Sequence, residues 1–341
     1  MSIKTHNVSE LNLDEYHQGT KSHLLIEVID NNLGFPLRIP IIVIKGKAGP
    51  VVGITAAVHG NEINGIPVIH KLIEKIDPKK INGTIVAIPV FNIPGFDRGQ
   101  REFQEGTDLN HIMPGKRWGN TPQAYTYALI NKIIKKFDNL IDLHTASEGR
   151  INTLYVRADM TQHITAKMAY LQKPQIIVHN PASDHTLRGA AMELNIPAIT
   201  VEIGNPQRFQ SKYINKSVRG LKDVLAYLKI TKNTTSKNES APIICKKSYW
   251  LFSDRGGLLT VFPQITDYIK KGEKIAEVKD IFGNVLTEYL MPEDGIVIGK
   301  SVNPVGQTGS RILHLGVLAE DTDNYIHFAQ HDSDPDSLEP L

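Results

Sequence analysis

Short apolar runs alternate with longer amphipathic stretches along residues 22–203. This alternation is typical of an α/β domain with a largely parallel sheet, because each crossover between parallel strands requires a long connection, usually a helix. Spacing of about 3.6 residues predicts helices over 63–76, 124–137, 187–194 and 213–228. Pro67 is expected in the first turn of the first helix, where its missing N–H costs least. The predicted strands are Leu24–Ile29, Ile39–Ile44, Val51–Val58, Thr84–Val90, Leu140–Leu143, Gln175–Val178 and Ala198–Val201.

A polar stretch divides the chain near residues 231–242, since 231–240 contain no apolar side chain. We therefore predict a first domain over 1–230, a linker over 231–242 and a second domain over 243–341. Glycine-punctuated runs in the second part, such as Gly256–Val261 and Asp294–Gly299, indicate short strands and turns. The predicted architecture is a mostly parallel mixed sheet flanked by helices, with a smaller β-rich C-terminal domain.

The composition excludes several function classes. The 38 Lys+Arg and 36 Asp+Glu leave a net charge of +2, and the basic residues are scattered, so no nucleic-acid partner is expected. Cys245 is the single cysteine, which excludes an internal disulfide and any multi-cysteine metal cluster. The first residues lack a signal-like apolar stretch, and no run approaches the ~18 apolar residues of a membrane span. We expect a cytoplasmic protein without a membrane partner.

The first chemical signal is His59, which ends an apolar run, with Glu62 three residues later where a helix is expected. A strand-to-helix turn can aim both side chains at one point, and Gly60 allows a close backbone approach. An imidazole and a carboxylate suit zinc. On its own, the pattern is explained equally well by a capping histidine and a glutamate in the first helical turn.

His144 ends a second strand-like run in the same way, and Glu202 lies inside a third. Ligands collect outside the carboxyl ends of parallel strands, so His59, Glu62 and His144 would form a three-ligand site with a position left for water. An ionised carboxylate at 202 would be costly among apolar neighbours unless a positive charge faced it. Beside a zinc ion, Glu202 could act as a general base; the alternative is a solvated edge-strand glutamate.

The loop after the strand at 84–90 carries Arg98, Arg101 and Asn110. Such donors are suited to binding a carboxylate or stabilising an oxyanion. Because loop arginines are usually solvated, this segment is weak evidence alone.

Together, these motifs resemble the succinylglutamate desuccinylase/aspartoacylase family, within the zinc carboxypeptidase superfamily, over roughly residues 40–330. The motifs are H-G-N-E at 59–62, R-x-F at 101–103, D-L-N at 108–110 before the P-G turn at 114–115, D-L-H at 142–144 and V-E-I-G at 201–204.

The resemblance implies one zinc ion per chain, held by His59, Glu62 and His144, with Glu202 as the catalytic carboxylate. It further implies that Arg101 polarises the scissile carbonyl and that Asn110 helps to bind a substrate carboxylate. Arg188 resembles a second substrate-binding arginine. With Arg98 and His111 of the same loop added, the predicted site residues are metal ligands His59, Glu62 and His144, catalytic Glu202 and Arg101, and substrate-binding Asn110, Arg188, Arg98 and His111.

His111 departs from the family pattern, which usually reads D-L-N-R where this chain has D-L-N-H. Histidine is shorter and only partly charged near neutral pH, so it cannot reproduce the bidentate hold of arginine on a carboxylate. We therefore expect substrates with a neutral or basic side chain to fit as well as acidic ones, with Arg98 or Arg188 binding the carboxylate.

The resulting prediction is a zinc-dependent amidohydrolase that removes an acyl group from a small N-acyl amino acid. Two alternatives remain open: a zinc metallocarboxypeptidase acting on short peptides, and a non-catalytic zinc- or metabolite-binding relative. Related enzymes often form homo-oligomers, so a homo-oligomer is also compatible with the resemblance. The C-terminal part resembles a biotinyl/lipoyl module, but its turn reads Leu290-Met291-Pro292 without the carrier lysine, so no attached cofactor is expected.

Overall fold

The computed structural model describes residues 5–181, 185–232, 241–320 and 323–326. Six α-helices lie within these ranges: α1 (Gly65–Glu74), α2 (Ile93–Asp97), α3 (Thr121–Lys132), α4 (His163–Leu171), α5 (Leu187–Glu193) and α6 (Ser211–Tyr227). The strands before the linker are β1 (Thr5–Val8), β2 (Thr20–Asp30), β3 (Pro36–Lys45), β4 (Lys47–Ala56), β5 (Asn82–Ile88), β6 (Asn139–His144), β7 (Arg150–Asn152), β8 (Leu154–Ala158), β9 (Ile176–His179) and β10 (Ala198–Ile203). Those after it are β11 (Ile243–Phe252), β12 (Gly257–Val261), β13 (Tyr268–Ile269), β14 (Lys274–Lys279), β15 (Val285–Leu290), β16 (Gly295–Ser301), β17 (Val305–Gly306) and β18 (Arg311–Leu318).

The long sheet has a parallel centre. Its strand order is β1-β2-β3-β5-β4-β6-β10-β8-β9-β11-β18-β16-β13, with β7 paired to β16. The run β5-β4-β6-β10 is parallel throughout, whereas β8 enters antiparallel beside β10. The predicted mostly parallel mixed sheet is therefore confirmed, and each of the seven predicted strands overlaps an observed one. The prediction lacked β1, β7 and β8.

Helices cover both faces of this sheet, because its strands bury residues on both sides. Ile85 belongs to the core beneath α1, α4 and α6, whereas its neighbour Val86 belongs to the core beneath α3 and α5. Such fully buried aliphatic side chains each contribute about 1.5–3 kcal/mol of transfer free energy. Pro67 is in the first turn of α1, as predicted. Among the described helices, none combines the length and the apolar character needed to cross a bilayer.

The residues after 242 continue the long sheet and add a second one. β11 pairs parallel with β9, and β18, β16 and β13 follow antiparallel. A separate antiparallel sheet has the order β15-β14-β12-β17, which agrees with the predicted β-rich C-terminal region. The turn at 290–292 joins β15 to β16, and Met291 is buried there. The domain division at 231–242 stays a prediction, because residues 233–240 lie outside the described ranges.

Candidate metal centre

Three neighbouring parallel strands end at one edge of the sheet and bring the polar positions together. β4 pairs with β6 up to Ala56 opposite Leu143, and β6 pairs with β10 up to His144 opposite Glu202. His59 follows β4 by three residues, and Glu62 lies in the turn before α1. The register of the sheet therefore places all four side chains at the carboxyl ends of adjacent strands, where open α/β sheets bind ligands.

The turn after β4 has a constrained backbone. Ala57 has a φ of 52°, a left-handed conformation that costs a non-glycine residue about 1–3 kcal/mol. A Cβ on Gly60 would lie 2.0 Å from the carbonyl carbon of Gly95 in α2, so the predicted close backbone approach is confirmed. The Gly60 N–H also donates to the carbonyl of Arg101 at 3.3 Å. This packing fixes His59 and Glu62 relative to the Arg101 loop.

His59, Glu62 and His144 converge at one buried point. The Nδ1 atoms of His59 and His144 lie 3.2 Å apart. Oε1 of Glu62 lies 2.9 Å from Nδ1 of His59, and its Oε2 lies 3.0 Å from Nδ1 of His144. A tetrahedral ion with ~2.05 Å bonds would separate two donor atoms by about 3.3 Å. All three side chains are at least 96% buried, since 4%, 1% and 3% of their surfaces are exposed. Donor type, spacing and burial therefore fit a zinc ion.

An outer carboxylate orients each imidazole. Nε2 of His59 lies 3.1 Å from Oδ1 of Asp108, and Nε2 of His144 lies 2.8 Å from Oδ2 of Asp142. Asp142 is itself fixed, because Thr55 donates to its Oδ1 at 2.6 Å. Since carboxylates only accept, each Nε2 carries a proton, so that a bound ion would meet the lone pair of each Nδ1 at the shared point. This is the carboxylate–histidine arrangement found behind zinc ligands.

Asp108 and Asp142 were absent from the predicted site, although both left a signal in the sequence. Residues 142 and 144 are two apart in a strand, so their side chains share a face. Asp108 begins the D-L-N motif. The prediction gives a role to the last residue of each motif, His144 or Asn110, and none to the aspartate that begins it.

The charged groups of the cluster shift one another's pKa values. Burial raises the pKa of the Glu62 carboxyl, but His59 and His144 outweigh it and hold that pKa well below its ordinary value. For His144, burial lowers the pKa, yet Asp142 and Glu62 raise it well above its ordinary value. Without an ion, positive charge on the His144 imidazole is thus favoured where a metal cation would otherwise lie.

Glu202 is next to the triad but outside it. Its Oε2 is buried without a hydrogen-bond partner among the described residues. Burial raises the pKa of this carboxyl, and the negative charge of Glu62 adds to the effect, against a lowering by His144. A carboxylate with a raised pKa and one oxygen left without a partner, beside a candidate metal-ligand set, is well suited to accept a proton.

Arg101 connects the triad to its surroundings. Its Nη1 donates to Oε1 of Glu62 at 2.8 Å and to Oγ of Ser147 at 2.5 Å. Nε and Nη2 both donate to Oδ2 of Asp108, at 3.0 and 2.8 Å. The guanidinium is therefore held at the edge of the candidate metal site. It donates on one side to Glu62, a candidate ligand, and on the other to Asp108, the carboxylate behind His59.

Three of the four predicted substrate-binding residues, Asn110, His111 and Arg188, line the same cavity as the triad. Oδ1 of Asn110 accepts from the N–H of Leu187 at 2.7 Å, at the start of α5. Arg188 is 1% exposed and donates to the carbonyl of Asn180 at 2.9 Å. The His111 side chain is 73% exposed, with Nε2 3.6 Å from Oδ2 of Asp108. Arg98 donates to Gln100 and lines a neighbouring cavity that does not include the triad.

A cavity of about 370 Å³ contains the triad. Strands from both sides of the predicted linker line it, since Tyr155 belongs to β8, and Trp250 and Arg311 belong to β11 and β18. The charged side chains of its wall are Glu62, Arg101, Arg150, Arg157, Arg188, Glu202 and Arg311. The space is that of a small-molecule site with a strongly cationic wall.

The sequence matches a known family over this region. The model of the succinylglutamate desuccinylase/aspartoacylase catalytic domain matches residues 48–228, just over half of the 341 residues. The chain belongs to this family. The resemblance inferred from the motifs is therefore confirmed, and the match covers His59, Glu62, His144 and Glu202.

Several relatives extend the family likeness beyond the catalytic segment. N-α-acetyl-L-2,4-diaminobutyric acid deacetylase from Halomonas elongata is 23% identical over 301 residues, covering 83% of this chain and 87% of that protein. A succinylglutamate desuccinylase/aspartoacylase structure from Rhodobacter sphaeroides has a TM-score of 0.82 at 21% identity, covering 92% of this chain and 99% of that one. The product-bound ectoine utilisation protein EutE (DoeB) from Ruegeria pomeroyi has a TM-score of 0.80 at 22% identity, covering 87% and 95%. The two structures show a shared fold.

Proposed function

We propose that this family member is a zinc-dependent amidohydrolase that removes the acyl group from a small N-acyl amino acid. The observation that carries the proposal is the convergence of His59, Glu62 and His144 in a cavity that Glu202 also lines, with its buried Oε2 lacking a partner among the described residues. The family name and the name of the Halomonas relative describe deacylases of amino acids, which supports amide hydrolysis as the reaction.

A zinc ion bound by the triad would act as a Lewis acid, which would lower the pKa of water and polarise an acyl carbonyl. Glu202 accepts the proton of the attacking water and returns it to the leaving nitrogen. Arg101 places positive charge beside the developing oxyanion, and Asp108 fixes the plane of its guanidinium. The C–N bond breaks, and the products are a carboxylic acid and a free amino acid.

Replacement of Glu202 by Gln tests the assigned role. The amide keeps the size of the side chain but cannot accept a proton, so we expect kcat on N-acetyl amino acids to fall at least ~100-fold with zinc content unchanged. Glu193→Gln, on the exposed end of α5, is the matched control and should retain full turnover. Zinc is measured by mass spectrometry on each purified variant.

Turnover of Glu202→Gln equal to that of the unmodified protein would contradict the general-base role. His59→Ala should lower the zinc stoichiometry, and full zinc retention would remove that residue from the ligand set. Dipeptides assayed beside the N-acetyl amino acids separate a deacylase from a peptidase.

A further inference from the structure

Tyr155 lies directly opposite Glu202 in the sheet. β8 runs antiparallel to β10, and the register pairs Tyr155 with Glu202 and Arg157 with Thr200. Residues paired in this way place their side chains on the same face, with Cβ atoms about 4.5–5.5 Å apart. Both Tyr155 and Glu202 line the cavity that contains the triad. The hydroxyl of Tyr155 is therefore a close neighbour of the proposed general base.

Arg157 determines where the Tyr155 hydroxyl can donate. Nη2 of Arg157 donates to Oη of Tyr155 at 3.2 Å, and the guanidinium carbon lies 5.4 Å from the centroid of the phenol ring. The two residues are two apart in β8, so their side chains project from the same face of the sheet. Because a guanidinium has no acceptor, the phenol proton points to a different group.

The charges around Tyr155 indicate that Glu202 is that group. Burial raises the pKa of the Tyr155 hydroxyl, Arg157 lowers it, and the negative charge of Glu202 and hydrogen bonding to it raise it. Arg157 also lowers the pKa of the Glu202 carboxyl, against the effect of burial. The phenol thus lies between a cation and a carboxylate. Since Oε2 of Glu202 has no partner among the described residues, the phenol can hold Oε1 while Oε2 remains available for a proton.

Packing fixes the phenol ring itself. Tyr155 is 2% exposed, and its ring meets the His314 ring edge-on, with centroids 5.9 Å apart and an angle of 69° between the planes. It belongs to a buried cluster that joins strands before and after the predicted linker. The other buried members are Ile176, Val178, Cys245, Ile296 and Ile298. A side chain locked by such packing is suited to hold a catalytic group in one geometry.

We infer that Tyr155 is a positioning residue that donates its hydroxyl proton to Oε1 of Glu202 and so aims Oε2 at the attacking water. The inference rests on the proposed function for the role of Glu202. A carboxylate without such a donor rotates freely about its last side-chain bond, whereas a charge-assisted hydrogen bond fixes its orientation. Displacement of a catalytic group by about 1 Å can cost ~100-fold in rate.

Tyr155→Phe removes the hydroxyl and keeps the ring that packs on His314. We expect kcat on N-acetyl amino acids to fall at least tenfold, with KM within twofold and zinc content unchanged. In a Glu202→Gln background, the same change should lower kcat less than twofold further, because no proton-accepting carboxylate is left to orient. Tyr125→Phe is the matched control and should retain kcat. It also removes a buried tyrosine hydroxyl, one that donates to the carbonyl of Phe91 at 2.6 Å and does not line the cavity.

Urea denaturation of chelator-treated protein gives a second readout that does not depend on turnover. Tyr155→Phe, Glu202→Ala and the double variant form a cycle that measures the interaction between the two side chains. We expect the effect of Tyr155→Phe on the unfolding equilibrium constant to be at least threefold smaller in the Glu202→Ala background. Equal effects in both backgrounds would show that the hydroxyl does not hold the carboxylate.

The kinetic outcomes separate this inference from the proposed function. Unchanged kcat in Tyr155→Phe, a rise in KM alone, or a loss of kcat that multiplies in full with that of Glu202→Gln would overturn the positioning role and leave amide hydrolysis standing. If the unmodified protein hydrolyses none of the substrates, the proposed function is overturned. The unfolding cycle then still decides whether Tyr155 holds Glu202.

Discussion

Asp142 is a buried carboxylate that orients His144, a candidate metal ligand two residues away in the chain. Its side chain is 1% exposed, and Oδ2 lies 2.8 Å from Nε2 of His144. The contact fixes the ring orientation and the tautomer that leaves Nδ1 free for the metal. Removal of this contact should weaken the metal site while leaving all three ligands in the chain.

Asp142→Asn is the sharpest test, because the amide retains the acceptor that Thr55 uses at Oδ1. We expect zinc affinity to fall about 10- to 100-fold, the usual cost of losing an outer-shell partner. Competition titration against a chelator of known affinity measures the change. Asp97→Asn, at the exposed end of α2, serves as the control. Equal zinc affinity in Asp142→Asn and the unmodified protein would show that the orientation of His144 does not depend on this carboxylate.

The sequence signals the candidate metal ligands more clearly than it signals the charged residues on the rest of the cavity wall. His59 and His144 each end an apolar run, and such positions converge wherever the strands are parallel neighbours. Arg150 and Arg311 leave no comparable signal. They meet only because β7 and β18 both pair with β16, which no local periodicity encodes.

The turn between β4 and α1 is the element on which the metal site depends. Gly60 has the carbonyl carbon of Gly95 2.0 Å from where a Cβ would be, and Phe96 N at 2.2 Å. These are backbone atoms, so no side-chain rotation can relieve the contact. A larger residue at position 60 must therefore displace α2 or the turn that carries His59 and Glu62.

Gly60→Ala should lower the free energy of unfolding by at least the ~1–3 kcal/mol typical of overpacking, and should also reduce zinc binding. Urea denaturation and metal analysis of the same preparation give both quantities. Gly306→Ala is the comparison, since its nearest atoms are in the Ser310 side chain at 3.3 Å. A Gly60→Ala protein with unaltered stability and zinc content would mean that α2 yields at little cost.

Burial and strand pairing also determine which strands can be predicted from the sequence. Strands buried on both faces, such as β6 and β10, give continuous apolar runs and were predicted. β8 was not, because Arg157 interrupts its apolar pattern and its place depends on antiparallel pairing with β10. β7 has three residues, too few for a period to emerge.

At the scale of the whole molecule, the long sheet crosses the position of the predicted linker. Cys245 of β11 is opposite Val178 of β9, and it is fully buried. β16 also pairs with β7, and Trp250 of β11 and Arg311 of β18 form part of the cavity wall. A polar stretch in the sequence indicates where the chain can be divided, but strand pairing across that stretch depends on non-local contacts that composition does not report.

His314 lies at this junction and carries a charge-dependent part of the stability. It is 2% exposed, packs on Trp250 and Tyr155, and has Nε2 3.0 Å from Oγ of Ser248. Burial lowers its pKa well below the ordinary value, and the positive charges of Arg157, Arg150 and Arg311 act in the same direction. The folded protein therefore holds this imidazole neutral at pH values where the unfolded chain protonates it.

Because the unfolded state binds the additional proton, the contribution of His314 to the free energy of unfolding is fully present above pH ~6.5. It is lost as the pH falls below that value, by up to about 1.4 kcal/mol per pH unit. His314→Gln cannot titrate but can still pair with Ser248. We expect the free energy of unfolding of the unmodified protein to fall more steeply between pH 7 and pH 5 than that of the variant, measured by urea denaturation of chelator-treated protein. All other titratable groups are the same in both proteins, so their contributions cancel in the difference. Parallel pH profiles would show that the junction admits a charged imidazole, with water reaching Nδ1 of His314.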